Sequence, residues 1–231
     1  MDTKQMKTFV IGDIHGNHKA LLQCLERSGF NKTVDTLISL GDIVDGYPYV
    51  KECVDEILTC KNLIVVLGNH DKWFYDWARE PREFMWATQG GDNTFHSYVP
   101  KAHIDLFRDA YAAYTDDNNR CFVHGGFDIK EPNFEKQKIE TLIWDRHLLE
   151  VVYMNKKSHP DIKYGGFDEV FVGHTSTQII CGDTLPHKWC NVWALDTGAG
   201  YRGKLTIMDI ETHEFWQSDP AKELYPNDHG R

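Results

Sequence analysis

The sequence predicts an α/β protein built on parallel βαβ units, and three observations carry that expectation. Three short apolar runs, at residues 7–11, 36–40 and 63–67, each end in a glycine followed by a polar residue. A stretch with apolar residues at helical spacing follows each run, and strands alternating with helices pack as a parallel sheet with crossover helices. The chain is also rich enough in apolar residues for a substantial core: 41% of its 231 residues are hydrophobic and 13% aromatic.

Residues 7–11 read as a strand ending in Gly12-Asp13, after which residues 18–28 place Ala20, Leu21, Leu22, Cys24 and Leu25 on one helical face and stop at Gly29. Residues 36–40 end in Gly41-Asp42, and a helix is expected from about 49 to 60. Residues 63–67 end in Gly68-Asn69, again before a helix. The aromatic-rich stretch 73–100 breaks the alternation with Trp73, Phe74, Tyr75, Trp77, Phe84, Trp86, Phe95 and Tyr98, interrupted by Pro81 and Gly90-Gly91. It has two readings: a cap over a crevice, or core beneath a helical hairpin. The spacing of Ile104, Phe107, Ala110, Tyr111 and Tyr114 predicts a helix. A strand at 120–123 leading into His124-Gly125-Gly126, a helix over 140–151 and strands at 169–172, 192–195 and 204–208 follow. Residues 219–231 read as a polar tail, and with no repeat or linker the chain 1–231 reads as one domain.

Composition excludes several function classes. The longest apolar runs fall far short of the roughly 20 residues that span a bilayer, and residues 1–6 carry no apolar signal region, so a cytoplasmic protein without a membrane partner is expected. A formal charge of −10 with no Lys/Arg-rich run disfavours long nucleic acid. The six cysteines (Cys24, Cys53, Cys60, Cys121, Cys181 and Cys190) form no CxxC pair and read as free thiols.

The loops at the strand ends carry the chemistry. Gly12-Asp13-Ile14-His15, Gly41-Asp42, Gly68-Asn69-His70-Asp71, His124-Gly125-Gly126 and Gly173-His174-Thr175 each follow a predicted strand. In an open α/β sheet the ligand site lies beyond the carboxyl ends of the strands, so these five loops are expected to converge on one crevice. Singly, each has a bland alternative as a turn or helix cap, but five such coincidences at strand ends are hard to assemble by chance. Carboxylate, imidazole and amide oxygen in one cluster favour manganese, iron, zinc or a similar ion over an all-oxygen calcium or magnesium site.

Taken in order, these segments, with Gly41-Asp42-Ile43-Val44-Asp45-Gly46 completing the second, resemble the calcineurin-like metallophosphoesterases. The likeness is greatest to the phosphoprotein phosphatase branch, which includes bacterial and phage Ser/Thr phosphatases and symmetrical diadenosine tetraphosphatases. Weaker likeness continues through 86–98, Trp144-Asp145-Arg146 and Asp196-Thr197-Gly198-Ala199-Gly200, so the resemblance covers residues 7–218. It implies a four-layer αββα sandwich of two mixed β-sheets flanked by helices. It also implies two divalent metal ions, manganese first, with iron, zinc, nickel or magnesium as alternatives. Asp13, His15 and Asp42 would hold the first ion, and Asp42, Asn69, His124 and His174 the second. A metal-bridging hydroxide would attack the phosphorus, His70 would protonate the departing oxygen, and Asp45 would fix the tautomer of His70.

One departure matters. The family's second motif places an arginine directly after the residue matching Asp45, and here that position is Gly46. The resemblance leaves Arg146 as the phosphate clamp, with Asn69 also on the substrate phosphate, and Arg202, Lys72 or Lys51 as compensating cations. The leading expectation is a phosphatase of phosphomonoesters, including phosphoserine and phosphothreonine in proteins. A bis(5'-nucleosyl)-tetraphosphatase or other nucleotide hydrolase is its rival, and a non-catalytic scaffold is disfavoured because it has no need of the ligand set.

Overall fold

The computed structural model describes residues 6–80, 88–96, 101–131 and 133–231. Strand β1 (Thr8–Ile11) pairs in parallel with β2 (Thr36–Ser39), and β2 with β3 (Asn62–Val65), through the crossover helices α1 (His18–Arg27) and α2 (Val50–Leu58). Two later strands, β9 (Thr206–Asp209) and β10 (Phe215–Gln217), extend this sheet antiparallel beyond β1, giving the order β10-β9-β1-β2-β3. The second sheet contains β4 (Ala113–Thr115), β5 (Arg120–Val123), β6 (Glu169–Val172), β7 (His187–Trp189) and β8 (Val192–Ala194). Its order is β4-β5-β6-β8-β7, with β5, β6 and β8 parallel and the two outer strands antiparallel. Two mixed five-stranded sheets flanked by helices are what the resemblance implied.

Period-2 alternation sorts the strand residues into three apolar layers. Val10, Ile38, Val66, Phe122, Phe171, Leu195 and Met208 meet between the sheets, where the rings of Phe122 and Phe171 stack with centroids 4.9 Å apart. Phe9, Ile11 and Leu37 point the other way and pack under α1 and α2 with Leu21, Val54 and Ile57. Cys121, Val123, Val170 and Val172 cover the outer face of the second sheet against Leu148, Leu149 and Val152 of helix α7 (His147–Asn155). Burial on both faces explains why these strands are continuous apolar runs. The six cysteines are free, and four of them, Cys24, Cys53, Cys60 and Cys121, are buried. No helix among the described residues is long and apolar enough to cross a membrane.

Several sequence expectations need correction. The helix expected at 140–151 is two, α6 (Ile139–Trp144) and α7, broken at Asp145, whose extended backbone lets its carboxylate accept from Leu148 N at 2.8 Å. The helix expected to reach Tyr114 ends earlier: α5 is Lys101–Arg108, Tyr111 instead bridges Val66 just past β3 in the first sheet, and Tyr114 lies in β4 of the second. The polar tail is packed structure. Within 219–231, helix α9 (Ala221–Leu224) lies against α1, and Tyr225 is buried with its ring stacked on Tyr47 at 4.7 Å. In the aromatic stretch, helix α3 (Asn69–Arg79) buries Phe74, with Trp73, Tyr75 and Trp77 packed against the same core. Phe95 of the same stretch is 51% exposed, and Phe84, Trp86 and Tyr98 lie outside the described residues.

Candidate functional site

The carboxyl ends of the parallel strands of both sheets face one crevice, and the six expected ligand residues meet there. Asp13 and His15 follow β1, Asp42 follows β2, Asn69 opens α3, His124 follows β5 and His174 follows β6. All six are at most 3% exposed. Asp42 is central: its Oδ2 lies 3.5 Å from His15 Nε2 and 3.3 Å from His124 Nε2. Its Oδ1 accepts from the backbone N–H of His70 at 2.9 Å. Asp13, His15 and Asp42 form one group able to hold a metal ion, and Asp42, His124 and His174 form another.

The backbone is strained where the ligands turn inward. His15, Asp42, Asp45 and His174 have φ of 50°, 50°, 68° and 63°, in the left-handed region that costs a non-glycine residue about 1–2 kcal/mol. Hydrogen bonds hold them there: Asp42 O accepts from Ile14 N at 3.0 Å and His15 N at 2.9 Å. Gly68 is fixed by close approach, since a Cβ there would lie 2.2 Å from Asp42 Oδ1.

The protons in the cluster decide whether it suits a divalent cation. His124 Nδ1 lies 2.7 Å from Leu40 O, a pure acceptor, so Nδ1 carries the proton and Nε2 faces two oxygens, Asn69 Oδ1 at 3.1 Å and Asp42 Oδ2. A neutral Nε2 would oppose lone pair to lone pair, so a positive species must sit between them. Burial favours the neutral ring, but Asp42 and Asp13 outweigh it and push His124 up to about 9. Against its own burial, Asp42 is held well below the usual carboxylate range by His124, His70 and His15. Burial and then repulsion from neighbouring carboxylates raise Asp13, and burial raises Asp196 ahead of the charge of Asp42. His174 falls to about 2, through burial first and the charge of His124 next. The cluster therefore has more acceptors than it can keep ionised without added positive charge. Among the described residues, the buried side-chain atoms without a hydrogen-bond partner, Asp42 Oδ2, Asn69 Nδ2, His70 Nε2 and both ring nitrogens of His174, all belong to it. These residues fit divalent metal ions.

Beside this cluster, His70 Nδ1 lies 2.6 Å from Asp45 Oδ2, both side chains fully buried. The hydroxyl of Thr94 in α4 (Gly91–Phe95) donates to the other Asp45 oxygen and accepts from Asp45 N at 2.9 Å. The carboxylate is thus oriented from one side and meets the imidazole from the other.

The family model of the calcineurin-like phosphoesterases matches residues 6–178. The chain belongs to this family. It is 26% identical over 212 residues to serine/threonine-protein phosphatase 1 of Salmonella typhimurium, covering 88% of this chain and 91% of the relative. To the symmetrical bis(5'-nucleosyl)-tetraphosphatase of Pseudomonas entomophila it is 39% identical, covering 96% of each. Among solved structures, one with the provisional name of a diadenosine tetraphosphatase superposes with a TM-score of 0.69 at 17% identity, covering 95% of this chain and 96% of that one. The chain is accordingly a phosphoric ester hydrolase of the metallophosphoesterase family.

In this phosphoesterase Arg146 stands at the break between α6 and α7, and its Nη1 donates to His174 O at 3.2 Å and Thr175 Oγ1 at 3.0 Å. Of the cations expected to compensate for Gly46, Lys51 pairs with Asp55, Lys72 pairs with Asp76, and Arg202 is exposed. Gly46 itself has φ +82°, and a Cβ there would lie 2.9 Å from His15 O, so this backbone resists any side chain at the position. Four further residues reach the site without having been assigned a catalytic or ligand role in the sequence reading, although Asp71 and Asp196 stand within its motifs. Asp196 was within reach of it, because it follows a parallel strand in the same way as the others. Asp71 accepts from Gly68 N, Ile43 N and Val44 N, and burial followed by the charge of Asp42 pushes it up to about 7. Thr94 and Arg231 arrive from distant segments with no local motif to mark them.

Proposed function

We propose that this phosphoesterase is a dinuclear-metal phosphatase of phosphomonoesters, including phosphoserine and phosphothreonine in proteins. The sharing of Asp42 between two candidate ligand groups carries the reading. Asp13, His15 and Asp42 would hold one ion, and Asp42, Asn69, His124 and His174 the other. Manganese suits this mixture of carboxylate, imidazole and amide, with iron, zinc, nickel and magnesium as alternatives. Two such ions, when bound, lower the pKa of coordinated water and neutralise charge growing on the phosphoryl oxygens.

The chain's own residues account for the rest. Asp45 accepts a hydrogen bond from Nδ1–H of His70 and orients the ring, so that in the doubly protonated imidazolium the Nε2–H is the proton passed to the departing oxygen, leaving the neutral Nδ1–H ring. Asn69 Nδ2, buried without a partner while Oδ1 faces His124, is placed to donate to a phosphate oxygen. Arg146 uses Nη1 on His174 O and Thr175 Oγ1, and its remaining donors are free to form a charge-assisted fork on phosphate. Arg146→Ala is expected to raise the inhibition constant of inorganic phosphate roughly 10-fold or more, the worth of a charge-assisted hydrogen bond. An unchanged constant would move the clamp elsewhere.

A nucleotide substrate is the second reading. It is favoured by the 39% identity to a symmetrical tetraphosphatase and by a ring wall beside the cluster, where Trp73 lies 5.0 Å from both His70 and Trp144, and Trp144 is 40% exposed. A manganese-supplemented panel of phosphopeptides, mononucleotides and diadenosine tetraphosphate separates the two. Phosphopeptide turnover exceeding that of the dinucleotide supports the leading reading, and the reverse order replaces it.

A further inference from the structure

Arg231 is the one guanidinium that the segment following β10 delivers into the crevice. Its side chain is only 12% exposed, with Nη1 3.0 Å from His15 Nε2 and 3.7 Å from Asp42 Oδ2. The approach is built. Tyr225 stacks on Tyr47, Ala221 N donates to Gly203 O at 2.6 Å, Lys19 N donates to Tyr225 Oη at 3.0 Å, and Arg231 N donates to Gly200 O at 2.9 Å. The guanidinium lies 5.2 Å from the ring centroid of Tyr201. Its stem packs beside Gly90, where an added Cβ would lie 2.9 Å from Arg231 Cβ and 3.0 Å from Gly46 N.

We infer that Arg231 is a substrate-phosphate-binding residue, a second guanidinium supplied by the 219–231 segment across the cluster from Arg146. The inference rests on the metal-dependent phosphatase reading above. His15 Nε2 has a single lone pair, because Nδ1 faces Val44 O at 3.2 Å and must carry the proton there. A metal ion on that lone pair removes the acceptor that Arg231 Nη1 now uses and adds positive charge beside it. The guanidinium then needs an anionic oxygen within reach of its present position, and a phosphoryl group held at the ions supplies one. Its planar fork matches two such oxygens at once, which a lysine would not. Backbone contacts of residues 221–231 keep the side chain near the crevice whether or not phosphate is bound.

The test uses manganese-loaded wild-type protein with Arg231→Ala, Arg231→Lys and Arg146→Ala. Inorganic phosphate is the probe, measured by calorimetry and as a competitive inhibitor, with metal content and thermal unfolding recorded for each variant. Arg231→Ala should weaken phosphate binding roughly 10- to 100-fold at unchanged metal content, and Arg231→Lys should recover only part of it. KM should rise for every panel substrate. Phosphate binding by Arg231→Ala equal to wild type overturns the inference and leaves the metal-dependent reading intact. Loss of metal in Arg231→Ala also overturns it, because the guanidinium would then serve the cluster and not the substrate. Failure of wild-type protein to bind phosphate or turn over any panel substrate overturns both.

Discussion

Asp42→Asn is expected to abolish phosphoester hydrolysis, with a loss on the order of 10³-fold or more, and to leave the protein with less than its full metal content. The size follows from what the residue does. A carboxylate held 3.3–3.5 Å from two histidine nitrogens and shared by both candidate ligand groups would, on the proposed reading, supply negative charge to two ions at once. Losing either ion forfeits several kcal/mol of charge stabilisation, and each ~1.4 kcal/mol is tenfold in rate. Asparagine keeps the shape and can still accept the His70 N–H through its remaining oxygen, so the loop at φ 50° is retained and the effect reports charge. The change also has a metal-free readout. Asp42 is the leading attraction that pushes His124 up to about 9, so the imidazole resonances of His124 in Asp42→Asn should titrate at lower pH than in wild type. Metal analysis, steady-state kinetics and NMR titration measure the three effects. Full turnover with both ions retained would remove the shared-ligand assignment.

Such a cluster was legible because the fold repeats one local rule. Parallel strands buried on both faces are apolar runs, and the turn at each carboxyl end exposes its first polar residues to the crevice, so Asp13, Asp42, Asn69, His124 and His174 stand out in the sequence. Asp196 obeys the same rule. Thr94 and Arg231 do not, since they meet Asp45 and His15 across 49 and 216 residues, and only packing brings them together. The helix break at Asp145 was hidden because Leu142, Ile143, Leu148, Leu149 and Val152 are all buried and keep helical spacing across it. Yet that break is what aims Arg146 at His174 O. Strands of three residues, such as β4, β7 and β10, are too short to show a period of two. The acidic composition likewise misleads taken alone: part of the −10 charge is concentrated where cations would be bound, so net charge says little about affinity for a small phosphate.

His70→Asn should slow hydrolysis in proportion to how badly the leaving group needs a proton. A serine alkoxide is a poor leaving group, and general acid catalysis contributes about 10²–10⁴-fold to such a step. For p-nitrophenyl phosphate, whose phenolate departs without protonation, the loss should be roughly tenfold or less, the remainder reflecting binding and positioning. Geometry makes the substitution selective. His70 contacts Asp42 through its backbone N–H, which survives a side-chain change, whereas its imidazole contacts Asp45 at 2.6 Å and leaves Nε2 without a hydrogen-bond partner. Metal content is therefore expected to stay at the wild-type level. Asp45→Asn should give the same leaving-group dependence in weaker form, because an amide can present its NH₂ to Nδ1 and favour the tautomer that leaves Nε2 protonated but uncharged. The comparison is kcat on a phosphoserine peptide against kcat on p-nitrophenyl phosphate for wild type and both variants. Equal losses on the two substrates would mean that His70 positions the cluster and transfers no proton, since a packing defect cannot distinguish one leaving group from another.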